Sequence, residues 1–553
     1  MSLLICSPPF APKRHQFLLK KLSLATLALL MLTNFSWAQE QGRVARGLSG
    51  GSAASLPSIG DSSDLSAAAE RRIGDSIAAS IYRDPDYMDD PVLADYLQSI
   101  WQPLMTVARA RGELPAELDE RFAWTLFLIR DRSINAFALP GGYFGVHLGL
   151  IGAVSTADEM AAVLAHELSH VTQRHISRLM TQQSKQAPWM IAAMVLGALA
   201  ASKSPNAASA AIVGGQALGA QSQLNFSRDM EREADRVGYS VMTDAGFESR
   251  GVAAMFEKLQ QASRLNDNGA FPYLRSHPLT TERIAEAQSR VQLAADAAVK
   301  APKALKEHQA DASQAQLLHA MMAARARILA LPGVDALRAM VAEAQGRGVM
   351  SKLTETQASA ANIRDAGALY AGAFAAAQLR DFAGARALVG ALKPLAAATP
   401  RSLRTIDLLS VEIDLLAGVT SPSAFFVDMA KVGTRAEVLI QARSLMAAQR
   451  TPEVLSRLQS WVAANPKDAT AWQLLAVAYG AQNQPVRAIR ADAESRAAQL
   501  DYSAALDRLK AAQTLMRNQP GSADYVEASI IDTRTRQVES LIKEQALHNK
   551  INH

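Results

Sequence analysis

Cysteine is almost absent from this sequence: Cys6 is the single one among 553 residues. It lies in an N-terminal segment that we expect to be removed, which leaves the mature protein without a thiol. This excludes a catalytic cysteine and a zinc site built from thiolates. It also excludes disulfides, so an oxidising compartment would not trap the chain in wrong pairings.

An excess of charge of either sign is missing as well. The chain has 57 Lys and Arg residues against 52 Asp and Glu residues. Four of the basic residues lie within the first 38 residues, which contain no acid, so the remainder carries 53 against 52. Aromatic residues make up only 6% of the chain. A nearly neutral chain with few aromatic residues lacks the surface that binds nucleic acid, and we expect no such partner.

The sequence also lacks an apolar run of the roughly 20 residues needed to cross a membrane. Near the N-terminus, Lys20 and Lys21 precede twelve apolar residues at 22–33, and the small residues Ser36 and Ala38 follow. This pattern predicts that residues 1–38 are a cleavable signal peptide for export. The alternative is a retained anchor, which would make the protein an integral-membrane peptidase.

The segments that follow differ in composition. Residues 39–65 are rich in Gly and Ser and are expected to be a linker or an extended arm. Residues 66–300 mix helical and strand patterns, with a turn at Pro140-Gly141-Gly142. One long helix is predicted over residues 155–180, capped by Ser155 or Thr156 together with Asp158 or Glu159. Two Ala/Gly-rich apolar stretches within 187–221 predict a helical hairpin packed on the core. A hairpin that touches a membrane surface or covers a cleft is the alternative.

From residue 305 to residue 553 the strand signals disappear and alanine dominates. Trp472 and Tyr479 have the spacing of the tetratricopeptide signature, and two segments begin with aspartate followed by an aromatic residue, at Asp381 and Asp501. We therefore expect degenerate tetratricopeptide-like repeats, with an irregular all-α domain as the alternative. Stacked helix pairs of this kind form a concave surface that suits protein segments.

The segment "VLAHELSHVTQRH" contains the residues with the clearest chemical meaning. His166 and His170 are four residues apart, so a helix would place both imidazoles on one side, where two nitrogens can reach one zinc ion. Glu167 is offset by one position and could accept a proton from a metal-bound water. The apolar residues before His166 indicate a buried helix. The alternative is an ordinary solvated helical face.

A catalytic zinc site needs a third protein ligand. In "MEREADRVG", Glu231, Glu233 and Asp235 are candidates, and Glu231 and Asp235 share a helical face. Glu231 could bind the metal while Asp235 accepts a hydrogen bond from a ligand histidine. His175 lies five residues after His170 and off the ligand face, so we expect it to be an outward-facing or structural residue.

Taken together, "HELSH", "EREAD" and "LRSHPL", behind a signal and ahead of helical repeats, resemble the periplasmic beta-barrel assembly-enhancing metalloproteases. These are relatives of the HtpX-like and prenyl-protein endoprotease-like zinc peptidases. The resemblance implies an α+β fold: a mainly helical zincin-type peptidase domain with a small sheet, followed by an all-α repeat domain at 305–553. It implies one zinc ion per subunit bound by His166, His170 and Glu231. Glu167 would be the general base, and Asp235 would hydrogen-bond a ligand or donate a proton.

The resemblance also implies a cellular role. Unfolded or stalled outer-membrane β-barrel proteins would be the substrates, in the periplasm. The repeats would contact the barrel-assembly machinery, and peripheral contact with a membrane is a further expectation. The strand near Asn135 would pair with extended substrate, and His277 would either occupy the open metal position at rest or contact substrate. A rival hypothesis is a chaperone or adaptor whose zinc site is latent or structural.

Overall fold

The computed structural model describes residues 65–183, 228–265, 272–299, 305–351, 360–420, 433–518 and 524–551. The predicted signal peptide, nearly all of the predicted linker and the two apolar stretches at 187–221 lie outside these residues. Among the described helices, none is both long enough and apolar enough to span a bilayer.

The first part of the described chain combines helices with a small sheet, as the α+β prediction requires. Its elements, in chain order, are α1 (Ala67–Tyr82), β1 (Tyr87–Met88), α2 (Pro91–Ala110), α3 (Ala116–Arg121), β2 (Thr125–Ile129), β3 (Ala136–Leu139), β4 (Tyr143–His147), α4 (Leu148–Ala153), α5 (Ala157–Thr172), α6 (His175–Gln183), α7 (Arg228–Asp244), α8 (Arg250–Leu265), α9 (Pro272–Ser276) and α10 (Thr281–Val299).

The four strands form one sheet in the order β1-β2-β4-β3, which leaves β3 at an edge. Strands β3 and β4 pair antiparallel, and Pro140-Gly141-Gly142 connects them. Gly141 and Gly142 have φ angles of 74° and 78°, a conformation that glycine adopts without a side-chain clash. The turn predicted at this position is therefore confirmed. Strand β3 packs beside α5, which places this edge next to the helix with the histidine pair.

Helix α5 begins as the sequence predicts. The Thr156 side chain accepts a hydrogen bond from the Glu159 amide at 3.1 Å, and the Ser155 amide donates to Glu159 Oε2 at 2.7 Å. Every residue of α5 except Asp158 is buried. The alternative of a solvated helical face is therefore wrong.

The long helix predicted over 155–180 is interrupted, however. Helix α5 ends at Thr172, and α6 starts at His175. Between them Arg174 takes a φ of 55°, which reverses the local direction of the chain. The prediction of one continuous helix is wrong, because neither Gln173 nor Arg174 carries a sequence signal for a break.

The remaining described elements are helical. They are α11 (Leu305–Leu329), α12 (Val334–Ser351), α13 (Ala360–Gln378), α14 (Phe382–Leu392), a 3-10 turn (Lys393–Ala396), α15 (Pro400–Leu416), α16 (Arg435–Ala447), α17 (Thr451–Ala464), α18 (Ala469–Ala481), α19 (Pro485–Ala498), α20 (Tyr502–Arg517) and α21 (Tyr525–Ile551). Asp381 and Asp501 cap α14 and α20 through their side chains, so each of these two segments begins a helix, while the repeats stay a prediction. One apolar core continues from α1 to α19, and a domain boundary near residue 300 stays a prediction.

A buried arginine connects the first part of the described chain to the later helices. Arg325 on α11 is 1% exposed and contacts two carboxylates, Asp90 at the start of α2 and Glu412 on α15, with its Nη2 2.7 Å from an oxygen of each. Asp90 also caps α2 by accepting from the Leu93 amide. Buried charges are tolerated only when they are paired and hydrogen-bonded, as these are.

Replacing Arg325 with methionine leaves the buried Asp90 and the partly buried Glu412 without their cation. We expect the Arg325→Met variant to lose about 3–5 kcal/mol of unfolding free energy in denaturant titrations. Arg338→Ala is the control, because Arg338 is 70% exposed in its pair with Asp335 and should change stability by less than about 1 kcal/mol. Equal, small losses for both variants would contradict this role of Arg325.

Candidate metal centre

Two helices bring the candidate ligands together. Helix α5 carries His166 and His170, one turn apart, and α7 carries Glu231. The helices approach closely at Gly238, where a Cβ atom would lie 3.1 Å from the backbone of Ala165 and His166. A larger residue would push α7 away from the histidines, so glycine here keeps the ligand helices in register.

Four side chains converge at this crossing: His166, His170, Glu231 and His277, which follows α9. All four are buried, and one donor atom from each lies within 4.8 Å of the others. His166 Nε2 is 2.9 Å from His170 Nε2 and 3.3 Å from His277 Nδ1. Glu231 Oε1 is 3.0 Å from His277 Nδ1 and 3.5 Å from His170 Nε2.

These distances fit a single zinc ion. Donors that surround zinc tetrahedrally at about 2.0–2.1 Å lie roughly 3.3 Å from one another. Three imidazoles and one carboxylate are also a donor set that zinc accepts. Without a shared cation, the lone pairs of the imidazole nitrogens and of the carboxylate oxygen would face one another in a buried space, which is unfavourable.

Glu167 is buried beside this cluster. It is 1% exposed, and neither carboxylate oxygen makes a hydrogen bond within the described part of the chain. Oε1 lies 3.4 Å from His277 Nε2. A buried carboxylate with unused acceptor capacity is costly, and it is what a base requires to receive a proton from water.

Asp235 and Arg283 contact the candidate ligands on the side that faces away from the donor cluster. Asp235 Oδ1 is 3.0 Å from His166 Nδ1, the ring nitrogen that faces away from the donor cluster. Arg283 donates to the two oxygens of Asp235 at 2.6 and 2.9 Å, and its Nη1 lies 2.8 Å from Glu231 Oε2. One guanidinium thus fixes both a ligand carboxylate and the carboxylate that orients a ligand histidine.

These contacts shift the acidities of the cluster. Burial raises the pKa of Glu231, but His277 and His166 outweigh it and hold the pKa well below its usual range. Burial lowers the pKa of His166, but Asp235 and Glu231 outweigh it and raise this pKa to about 10. The metal-free cluster therefore retains a proton that zinc would displace, as expected when metal ligands must be deprotonated.

His277 is held in place by its neighbours. Its ring stacks on Tyr273 with ring centroids 4.6 Å apart, and the two side chains are buried. Its backbone amide donates to the carbonyl of Tyr273 at 2.9 Å. Arg283 also donates to the carbonyl of Pro278, the next residue, at 2.8 Å. These contacts keep one nitrogen of His277 at the donor cluster and the other toward Glu167.

His175 is predicted to be either outward-facing or structural. It is buried inside the protein, so the outward-facing alternative is wrong and the structural one is confirmed. The ring is fully buried, and its Nδ1 lies 2.9 Å from His170 Nδ1. Its Nε2 lies 3.1 Å from Glu233 Oε2. The helix break at Arg174 is the reason, because it returns His175 toward the ligand that an uninterrupted helix would have carried it away from.

Asn135 precedes the edge strand. Its carbonyl accepts a hydrogen bond from the amide of His147 at 3.0 Å, which continues the pairing of β3 with β4 by one residue. A substrate role for Asn135 stays a prediction. Sequence reasoning missed Arg283, since a basic residue within a charged helix gives no sign of its distant partners.

Zinc binding is expected to stabilise the metal-free chain. Only the folded state holds the four donors together, so one zinc ion per chain should raise the melting temperature. At roughly 100 times Kd the gain is about 2.7 kcal/mol. Glu231→Gln should greatly reduce this gain in calorimetric titration. Glu453→Gln, at an exposed pair with Arg450, should retain it. An undiminished gain in Glu231→Gln would contradict the site.

Comparisons with known proteins agree with this centre. The sequence model of peptidase family M48 matches residues 92–291. A Vibrio cholerae protein assigned to the beta-barrel assembly-enhancing proteases is 36% identical over 237 residues, covering 42% of this chain and 47% of the relative. The match thus spans less than half of that relative's length.

Two further relatives match over most of their length. The beta-barrel assembly-enhancing protease of Yersinia pestis is 29% identical over 80% of this chain and 84% of the relative. The protein of the same name from Escherichia coli strain K12 is 28% identical over 82% and 86%, respectively. The matched residues 92–291 include every candidate zinc ligand. The match therefore identifies residues 92–291 as a domain of peptidase family M48, in a chain similar over most of its length to beta-barrel assembly-enhancing proteases.

Proposed function

We propose that the protein is a periplasmic zinc metalloendopeptidase that degrades misassembled outer-membrane β-barrel proteins and aids their assembly. The observation that carries this proposal is Glu167, a buried carboxylate with unused acceptor capacity beside a four-residue zinc-type donor set. The printed names of the relatives support the substrate class, because they describe beta-barrel assembly-enhancing proteases.

The chemistry is peptide hydrolysis. A bound zinc ion supplies Lewis acidity, which polarises the scissile carbonyl and brings the pKa of water toward about 7. Glu167 accepts the proton of the attacking water and delivers it to the leaving amine. Asp235 holds His166 in the tautomer whose Nε2 faces the cluster, and Arg283 hydrogen-bonds both oxygens of Asp235 and is paired with Glu231.

The edge of the sheet offers a place for substrate. Strand β3 is an edge strand of the described sheet and lies beside α5. An unfolded chain could add to it through backbone hydrogen bonds, which recognise extended peptide independently of its sequence. This mode suits a peptidase that selects unfolded or stalled proteins. Asn135 would lie at the entry of this strand into the cleft.

The later helices would bind proteins rather than catalyse. We keep the proposal that residues 305–553 are tetratricopeptide-like repeats that contact the barrel-assembly machinery, and that residues 1–38 direct export. The consecutive packing of α17 through α20 supports stacked repeats. A chaperone or adaptor with a structural zinc site is less well supported, because a structural site has no use for the buried Glu167 carboxylate.

Glu167→Gln separates the protease from the chaperone. The amide is isosteric but a poor base, so cleavage of an unfolded outer-membrane barrel protein should fall by about 10²- to 10⁴-fold. Zinc content should stay at one per chain, because Glu167 is not among the four donors. Cleavage at the wild-type rate by zinc-loaded Glu167→Gln would refute the assignment of the base.

His277 is proposed to hold the site in a resting state. Its Nδ1 faces the other donors while its Nε2 lies 3.4 Å from Glu167 Oε1. In this position one side chain takes the fourth metal position and also sits against the base. Water and substrate could enter only after His277 moved away.

His277→Ala tests this resting state. Removing the ring opens the fourth position, so we expect faster cleavage of unfolded substrate and weaker zinc affinity, measured by chelator competition. The melting temperature of the metal-free variant serves as the control for folding. If both the cleavage rate and the zinc affinity stayed at wild-type values, His277 would have no part in the site.

A further inference from the structure

A series of hydrogen bonds between side chains leads from the metal centre through His175 to Glu233. His170 Nδ1 lies 2.9 Å from His175 Nδ1, and His175 Nε2 lies 3.1 Å from Glu233 Oε2. Arg178 donates to the same oxygen of Glu233 at 2.7 Å. The two imidazole rings are fully buried, so this contact is shielded from water.

The positions of the protons follow from the ligand atom. His170 faces the other donors with Nε2, so when it binds zinc as a neutral imidazole its proton is on Nδ1. Two nitrogens 2.9 Å apart can share only one proton. His175 Nδ1 is therefore the acceptor, and its own proton is on Nε2, where Glu233 accepts it.

We propose that His175 is a positioning residue for the zinc site, which fixes the tautomer and the ring orientation of His170 and is itself fixed by Glu233. A carboxylate, a carbonyl or water usually performs this task for a ligand histidine. Asp235 does so for His166, at 3.0 Å. The two zinc-binding histidines are thus supported in chemically different ways.

The backbone holds His175 where this task requires it. Arg174, with its φ of 55°, forms the break between α5 and α6. Its guanidinium contacts the buried Glu70 at 3.1 Å and Ser177 Oγ at 3.1 Å, and donates to the Leu65 carbonyl. This unusual backbone conformation is therefore stabilised from α1, outside the zinc site.

The same hydrogen bonds provide a second connection between the helices that carry the candidate zinc ligands. Glu231 and Glu233 belong to the same helix, α7, while His170 belongs to α5 and His175 begins α6. Zinc would join His170 to Glu231, and His175 joins His170 to Glu233. Each ligand helix is consequently tied to the other twice, once through the metal and once through imidazole.

Three substitutions of His175 separate its two hydrogen bonds. His175→Asn places an amide oxygen near the position of Nδ1 and can accept from His170, but it does not reach Glu233. His175→Gln reaches toward Glu233 but leaves His170 without its acceptor. His175→Phe retains a ring and removes both bonds.

Zinc affinity, measured by chelator competition on the full chain, is the readout, and this test rests on the metal centre proposed above. Loss of the partner of a metal-bound histidine weakens binding by about 10- to 100-fold, which we expect for His175→Phe and His175→Gln. His175→Asn should recover most of the affinity. Metal-free melting temperatures report folding separately.

The outcomes distinguish the two proposals. Failure of the wild-type chain to bind zinc would overturn the proposed function itself. Zinc binding by the wild type with equal affinities for the Asn, Gln and Phe variants would overturn only the role of His175. Better retention by Gln than by Asn would likewise overturn it, because the bond to Glu233 would then be the important one.

Discussion

The pairing of Arg283 with two acidic side chains is the interaction on which the metal centre depends. Glu231 and Asp235 project from the same face of α7, Glu231 buried and Asp235 partly buried, where an uncompensated carboxylate is unfavourable. Arg283 contacts both, at 2.8 and 2.6 Å. It is paired with Glu231 and holds both oxygens of Asp235, which keeps Asp235 in place to accept a hydrogen bond from His166. Burial and ionisation, which normally oppose each other, are thereby reconciled.

The packed helices α5 and α7 fix the positions of three of the four donor side chains. The spacing of His166 and His170 fixes two nitrogens on one side of α5, and the close approach at Gly238 sets the distance to Glu231. His277 completes the set from a short connection between α9 and α10, the least regular backbone of the four. The donor that lies outside a helix is thus also the one proposed to move, whereas the other three lie on packed helices.

The sequence predicts the parts of this site that follow from local periodicity. The histidine pair, the cap at Thr156 and the turn at Gly141-Gly142 all depend on residues close together in the chain. The assignment of Glu231 and Asp235 used helical spacing together with the family resemblance. Arg283 could not be foreseen, because its partner Asp235 is 48 residues away and no pattern connects them.

His175 shows a different limit of sequence reasoning. Its exclusion from the site assumed that α5 continues, and on a continuous helix a residue five positions after His170 points elsewhere. The break at Arg174 depends on a distant contact with Glu70 rather than on glycine or proline. Sequence patterns therefore do not reveal a helix terminus that is stabilised by tertiary contacts. A residue beyond such a terminus can lie at the metal centre although helical periodicity places it elsewhere.

X-ray absorption at the zinc edge of the metal-loaded resting protein tests the central claim most directly. The account predicts a four-coordinate ion with three imidazole nitrogens and one carboxylate oxygen at about 2.0–2.1 Å. Substitution of His277 should reduce the imidazole contribution from three to two. A spectrum dominated by water oxygens, or one that lacks histidine scattering, would contradict the proposed centre.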